Sequence, residues 1–195
     1  MRILRAADYR VMPWKNGGGT TTEIMVSPDG AGLDDFDWRV SMARVEGSGP
    51  FSSFAGIDRT LSVLEAEGIA LDVAGLAPVH LTRLSSPFSF PADVATSAEL
   101  LAGAITDLNV MSRRDRMRHI VQRITLSDAI ELDPQAAMTI VLPLDGNMAV
   151  TGAETGEIGP LDALLLERGS EKPRLAPVGR CTLFLIRIDR IAARR

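Results

Sequence analysis

Apolar and polar residues alternate along most of this chain in runs too short for long helices. The clearest run is Phe36–Val45, where Trp38, Val40 and Met42 fall on one face and Arg39, Ser41 and Ala43 on the other. Residues 1–12 predict a leading strand, and Thr20–Val26 a second that stops at the turn Ser27-Pro28-Asp29-Gly30. Gly47–Gly56 reads as a loop that carries Phe51 and Phe54, and Ile57–Val73 as a hairpin about Gly68. Further short strands are predicted at Val79–Leu84, Phe88–Pro91 and Asp107–Met111, with the one helix candidate at Ser97–Ile105, rich in Ala and Leu. The basic run Arg113–Arg118 reads as a solvated connector, after which His119–Leu126 opens a second series of strands.

That second series repeats the first. Thr139–Val150 lies over Leu61–Asp72 with Gly146 on Gly68, a spacing of 78 residues that also sets Val141 on Val63 and Leu142 on Leu64. A repeat this long is no solenoid unit, which runs ~20–50 residues. It predicts a duplicated β-domain, two small barrels or sandwiches, with a boundary between residues 115 and 116 and with N-terminal strands free to cross between the two. The halves differ in chemistry: eight of the nine aromatic residues lie in the first 90 positions, so a pocket is expected in the first half.

Composition narrows the function classes. The 195 residues are 46% hydrophobic, enough for a core, and the net charge of −4 gives no draw toward nucleic acid or an anionic membrane. Met1–Asp8 has no signal-type apolar core, and no run approaches the ~18 residues of a membrane span, so the expectation is a soluble, cytoplasmic protein. The single Cys181 sits in a strand-like run and reads as a buried thiol. His80 and His119 stand 39 residues apart with no close partner, so no metal site is expected. No G-x-S-x-G elbow is present.

Pro13–Ile24 concentrates the candidate chemistry: Trp14, Lys15, Asn16, three glycines and three threonines. Lys15 precedes the glycines and β-branched residues follow, which excludes a nucleotide P-loop. Lys15, Asn16, Arg39 and Arg59, with Asp107 and Asn109, form a set suited to gripping a carboxylate, because a guanidinium meets two carboxylate oxygens with parallel hydrogen bonds. The alternative for each arginine is a structural ion pair with Asp37 or Asp58. Glu23, Asp58 and Asp107 are the carboxylates available as a general base.

Four motifs then carry a resemblance: Pro-Trp-Lys-Asn-Gly-Gly-Gly-Thr-Thr-x-Glu-Ile at 13–24, Phe-Asp-Trp-Arg-Val-Ser-Met-Ala at 36–43, Gly-Pro-Phe-Ser-x-Phe-x-Gly-Ile-Asp-Arg at 49–59 and Asp-Leu-Asn-Val-Met at 107–111. In order and spacing the chain resembles the HutD/Ves family over nearly its whole length. The resemblance implies an all-β bicupin linked to bacterial histidine utilisation, without the paired histidines of metal-binding cupins and without a cofactor. Its motif positions fall on Trp14, Lys15, Asn16, Arg39, Phe54, Asp58, Arg59, Asp107 and Asn109. The expectation is a binder of a small carboxylate such as N-formylglutamate or urocanate, held by Trp14, Lys15, Asn16, Arg39, Phe54, Arg59, Asp107 and Asn109. A metal-free isomerase or hydrolase using a pocket carboxylate is the competing reading. No nucleic-acid or membrane partner is expected, and a homodimer through the second half stands as a further expectation.

Overall fold

The computed structural model describes residues 1–15 and 17–191. In chain order the strands are β1 (Arg2–Leu4), β2 (Arg10–Pro13), β3 (Gly19–Ser27), β4 (Trp38–Val45), β5 (Gly49–Pro50) and β6 (Ile57–Glu65). There follow β7 (Ile69–Val73), β8 (Val79–Leu81), β9 (Phe88–Pro91), β10 (Thr96–Leu100), β11 (Ile105–Arg113) and β12 (Met117–Leu126). The last are β13 (Ile130–Glu131), β14 (Met138–Pro143), β15 (Met148–Thr151), β16 (Gly156–Ile158), β17 (Ala163–Glu167), β18 (Arg174–Pro177) and β19 (Cys181–Arg190). Among the described residues the one helical piece is the three-residue 3-10 turn Ala6–Asp8. The fold is all-β.

The chain divides into two compact units, one of Arg10–Arg118 with Ile191 and the other of Met1–Tyr9 with His119–Arg190. In the first, a six-stranded sheet ordered β2-β3-β4-β11-β6-β9 shares a core with a four-stranded sheet ordered β5-β10-β7-β8. Alternate residues of β4, β6 and β11 (Ala43, Val45, Leu61, Val63, Ile105) meet Ile69, Leu71, Val73, Leu81 and Ala98 of the smaller sheet. Each large aliphatic side chain buried this way stabilises the fold by ~1.5–3 kcal/mol relative to leaving it exposed.

In the second unit, β12-β19-β14-β17 stand in the same order as β4-β11-β6-β9, with β1 added beyond β17, and β13-β18-β15-β16 match β5-β10-β7-β8. Its core gathers Val141, Met148, Val150, Ile158, Leu164, Leu175, Leu183 and Leu185. The duplication read from the glycine spacing is therefore a duplication of strand order.

Three local expectations are corrected. Residues 1–12 are not one strand: the turn at Ala6–Asp8 breaks it, β1 pairs with β17 (Ile3 opposite Leu164), and β2 pairs with β3. No hairpin forms about Gly68, because β6 and β7 belong to different sheets. Gly68 turns the chain between them at φ +120°, and a Cβ there would stand 2.1 Å from the Leu81 carbonyl oxygen. Ser97–Ile105 is no helix. Thr96 and Ala98 are buried while Ser97 and Glu99 are exposed, and the strand pairs with β5 and β7, so tertiary packing overrides the Ala/Leu propensity.

Candidate functional site

The inward face of the six-stranded sheet is not apolar throughout. β4 presents Arg39, Ser41, Ala43 and Val45 to the inside, and the register sets Arg39 opposite Met111, Ser41 opposite Asn109 and Ala43 opposite Asp107 on β11. On the other flank of β11, Met111 stands opposite Arg59, Asn109 opposite Leu61 and Asp107 opposite Val63 on β6. β3 adds Thr21 opposite Ala43 and Glu23 opposite Ser41, with a bulge at Ile24 that shifts the register beyond Glu23. A polar belt thus crosses four strands. It is bordered on one side by the core cluster around Leu61 and Val63, and on the other by Val26, Phe36, Ile57, Ala92 and Met111.

Within the belt the groups are linked. Arg39 Nε donates to Glu23 Oε2 at 2.8 Å, with only 8% and 17% of the two side chains exposed, so this pair is sheltered from solvent screening. Arg59 Nε donates to Asn109 Oδ1 at 2.7 Å and its Nη2 donates to the same oxygen. Asn109 Nδ2 in turn donates to Asp107 Oδ1. The Phe51 ring covers the Arg59 guanidinium at 4.5 Å from the ring centroid, with Phe90 at 5.9 Å. At the edge of the belt Trp14 Nε1 donates to Thr21 Oγ1 at 2.8 Å. The Trp14 ring lies where a Cβ on Gly19 would come within 3.2 Å of it, so the glycine run lets backbone and indole meet.

Burial shapes the charges. Asp107 is 1% exposed and its Oδ2 has no hydrogen-bond partner. Desolvation pushes its carboxyl up to about 6, against the opposing pull of the Arg59 charge, the Asn109 amide and the Ala43 backbone N–H. Desolvation also lowers Arg59 to about 10, partly offset by Asp107, which leaves it a cation at neutral pH. Arg59 hydrogen-bonds an amide rather than a carboxylate, and the carboxylate acting on its charge, Asp107, stands beyond that amide.

The expected site residues separate as follows. Arg39, Arg59, Asp107 and Asn109 are brought together, and Trp14 borders them. Lys15 is exposed in the loop, and Asn16 lies outside the described residues. Phe54 packs edge-on against Phe36, ring centroids 6.5 Å apart, in the bordering apolar cluster. Neither arginine takes the ion pair considered for it: Asp37 pairs with Arg116, and Asp58 with Arg114. Asp58 thereby leaves the set of base candidates, since its place in β6 puts it on the opposite face from Arg59. Sequence reasoning missed Phe51, Phe90 and the Glu23 partnership with Arg39. Phe51 and Glu23 stand inside the 49–59 and 13–24 motifs, but no spacing rule ties either to its arginine.

A concavity of about 440 Å³ lies away from the belt, lined by Gly56, Arg113, Arg114 and Asp115. Its arginines have structural partners: Arg114 holds Asp58 and Asp93, and Arg113 reaches the Phe36 and Asp34 carbonyls. Among the described residues no three His, Cys, Asp or Glu side chains gather to hold a metal ion. The described residues of the belt include no histidine or cysteine, and the Glu23 carboxylate is already taken by Arg39, a donor set poorly suited to a divalent cation. The residues do not fit the metal centre common in folds of this type.

A HutD family profile matches residues 6–183. An uncharacterized 21.2 kDa protein from the hutC 3' region of Pseudomonas putida is 36% identical over 187 residues, covering 95% of this chain and 97% of that one. A conserved protein of unknown function from Pseudomonas aeruginosa superposes with a TM-score of 0.86 at 36% identity, covering 96% of this chain and 98% of its own. HutD from Pseudomonas fluorescens, solved under a formate condition, superposes at 0.81 with 33% identity over 98% of this chain and 99% of that one. The cupin fold is shown by a conserved barrel domain protein from Leptotrichia buccalis, at a TM-score of 0.61 and 10% identity over 88% of this chain and 89% of the other. With its motifs, strand order and relatives in agreement, the chain belongs to the HutD family.

Proposed function

We propose that this protein binds a small carboxylate metabolite on the inward face of its Arg10–Arg118 unit, without a metal, and does so in histidine utilisation. The observation that carries the reading is Arg59: a half-buried cation capped by Phe51 whose hydrogen bonds go to a neutral amide. Each charge-assisted hydrogen bond to an incoming carboxylate contributes ~1.5–3 kcal/mol. Two or three of these, with aromatic cover, reach the roughly 8 kcal/mol of a micromolar complex. The relatives' names support the pathway, and N-formylglutamate and urocanate are small carboxylates.

Isothermal titration with N-formylglutamate, urocanate and glutamate tests this, alongside an Arg59→Ala variant whose fold is checked by circular dichroism. Micromolar binding of one compound, lost in the variant, is the expected result. No heat with any of the three removes the metabolite assignment.

One observation favours a second reading. Asp107 is a buried carboxyl whose pKa of about 6 suits a general base near neutral pH, and no arginine hydrogen-bonds it directly. Proton NMR of each compound incubated with the protein separates the two readings. An unchanged spectrum over hours leaves a binding protein, and product signals make it an enzyme.

A further inference from the structure

We infer that the bound carboxylate carries a hydrogen-bond donor of its own, an N–H or O–H, which Asp107 Oδ2 accepts. This rests on the carboxylate-binding reading above and narrows its ligand class to amide-, imidazole- or hydroxyl-bearing carboxylates.

The argument is an inventory of donors and acceptors. The two guanidiniums of the belt have only donors to give. Arg39 gives its Nε to Glu23, and Arg59 gives two of its N–H groups to Asn109 Oδ1. That double donation fixes the Asn109 amide, so its Nδ2 must face Asp107 and its oxygen has no capacity left for a ligand. Among the described residues of the belt, the fully buried acceptor without a partner is Asp107 Oδ2, on a residue 1% exposed.

By register the charged residues on its face are Arg59 from β6, Arg39 from β4, Glu23 from β3, Arg10 from β2 opposite Glu23, and Arg113 at the far end of β11. The residues directly opposite Asp107 are Ala43 and Val63, whose side chains have no donor to offer; the Ala43 backbone N–H acts on the carboxyl, yet Oδ2 is left without a hydrogen bond. A carboxylate with no donor satisfies the arginines and leaves Oδ2 stranded, beside a like charge. A ligand with a donor satisfies both ends, and a site built around a buried acceptor discriminates strongly against analogues that lack the matching group.

The test compares two pairs by calorimetry at pH 7.5: N-formylglutamate with N-formyl-N-methylglutamate, and N-acetylglycine with N-acetylsarcosine. N-methylation removes the donor and keeps the carboxylate. The donor-bearing member of at least one pair should bind tenfold or more tightly than its methylated partner. Asp107→Asn separates hydrogen bonding from bulk. Because Asn109 Nδ2 stays aimed at position 107, the new amide must turn its oxygen to Asn109 and set its NH₂ where Oδ2 stood. The preference should then vanish or reverse in the variant, whose fold is followed by thermal melting. Equal affinities within both pairs overturn the inference and leave the carboxylate reading intact. A penalty for the methyl group that persists in Asp107→Asn shows a steric effect and also overturns it. Failure of all four compounds to bind overturns the carboxylate reading and the inference with it.

Discussion

Asp107 binds a proton more tightly in the fold than in an open chain, and stability must follow. Its carboxyl titrates at about 6 against an unperturbed 3.8, so between those values the folded state holds more protons than the unfolded one. The stabilisation from the protonated group is complete below pH ~4 and is lost as pH rises through about 6, with a ceiling of roughly 3 kcal/mol. Asp93, held at about 2 chiefly by Arg114, acts with opposite sign and below that window. Urea denaturation at intervals from pH 4 to 7 should show stability falling across this range in the native protein and a flatter profile in Asp107→Asn. Glu23→Gln tests the other pair: it strands the Arg39 charge in a sheltered position, and a loss of roughly 3 kcal/mol is expected from the same denaturation experiment. At this scale Arg39, Arg59, Asp107 and Asn109 were legible as a set, because cations and amides on predicted strands beside small residues have few apolar explanations. What each one touches was not legible. Arg39 had Asp37 two positions away in sequence and took Glu23, sixteen positions back, across a bulge that no residue pattern announces.

The strands themselves were readable where one face is wet, and misread where sequence neighbours join different sheets. Gly68 is the instructive case: a glycine between two apolar runs predicts a hairpin, yet here it steers the chain from one sheet to the other. Alternation reports burial, but two successive strands look the same in sequence whether they pair or part. The same limit applies at Ser97–Ile105, where helix-favouring residues form a strand because β5 and β7 supply the hydrogen bonds. Glycines offer a direct check on which backbone contacts matter. Gly19→Ala would set a methyl 2.1 Å from the Arg44 carbonyl oxygen, forcing β3 from β4 and moving Trp14. A loss of roughly 2–4 kcal/mol is expected. Gly17→Ala meets nothing within 4 Å and suffers only its φ of +71°, a cost of about 1 kcal/mol. Thermal melting of the two variants should therefore show the larger fall for Gly19→Ala.

Over the whole molecule the fold is doubled and the site is not. Leu185 stands opposite Val141 as Asp107 stands opposite Val63, and Ala137 occupies the place of Arg59 in the repeat. Leu185 lies in the apolar core of its unit, so the second copy keeps its packing and gives up the belt. Titration should accordingly return one ligand per chain, and a stoichiometry of two would contradict the asymmetry. The repeat was visible in sequence through Gly68 and Gly146, and its uneven chemistry through the crowding of aromatics before residue 91. That N-terminal strands can cross between the halves was an expectation, but a three-residue strand carries too little pattern to name its partner. That crossing governs the order of events at the ribosome. β1 is synthesised about 160 residues ahead of β17, whereas all the strands of the Arg10–Arg118 unit emerge in one continuous stretch. The Arg10–Arg118 unit can therefore assemble while synthesis continues, with β1 unpaired until β17 emerges. Docking of β1 onto β17 then becomes a late step that joins two segments made about 160 residues apart.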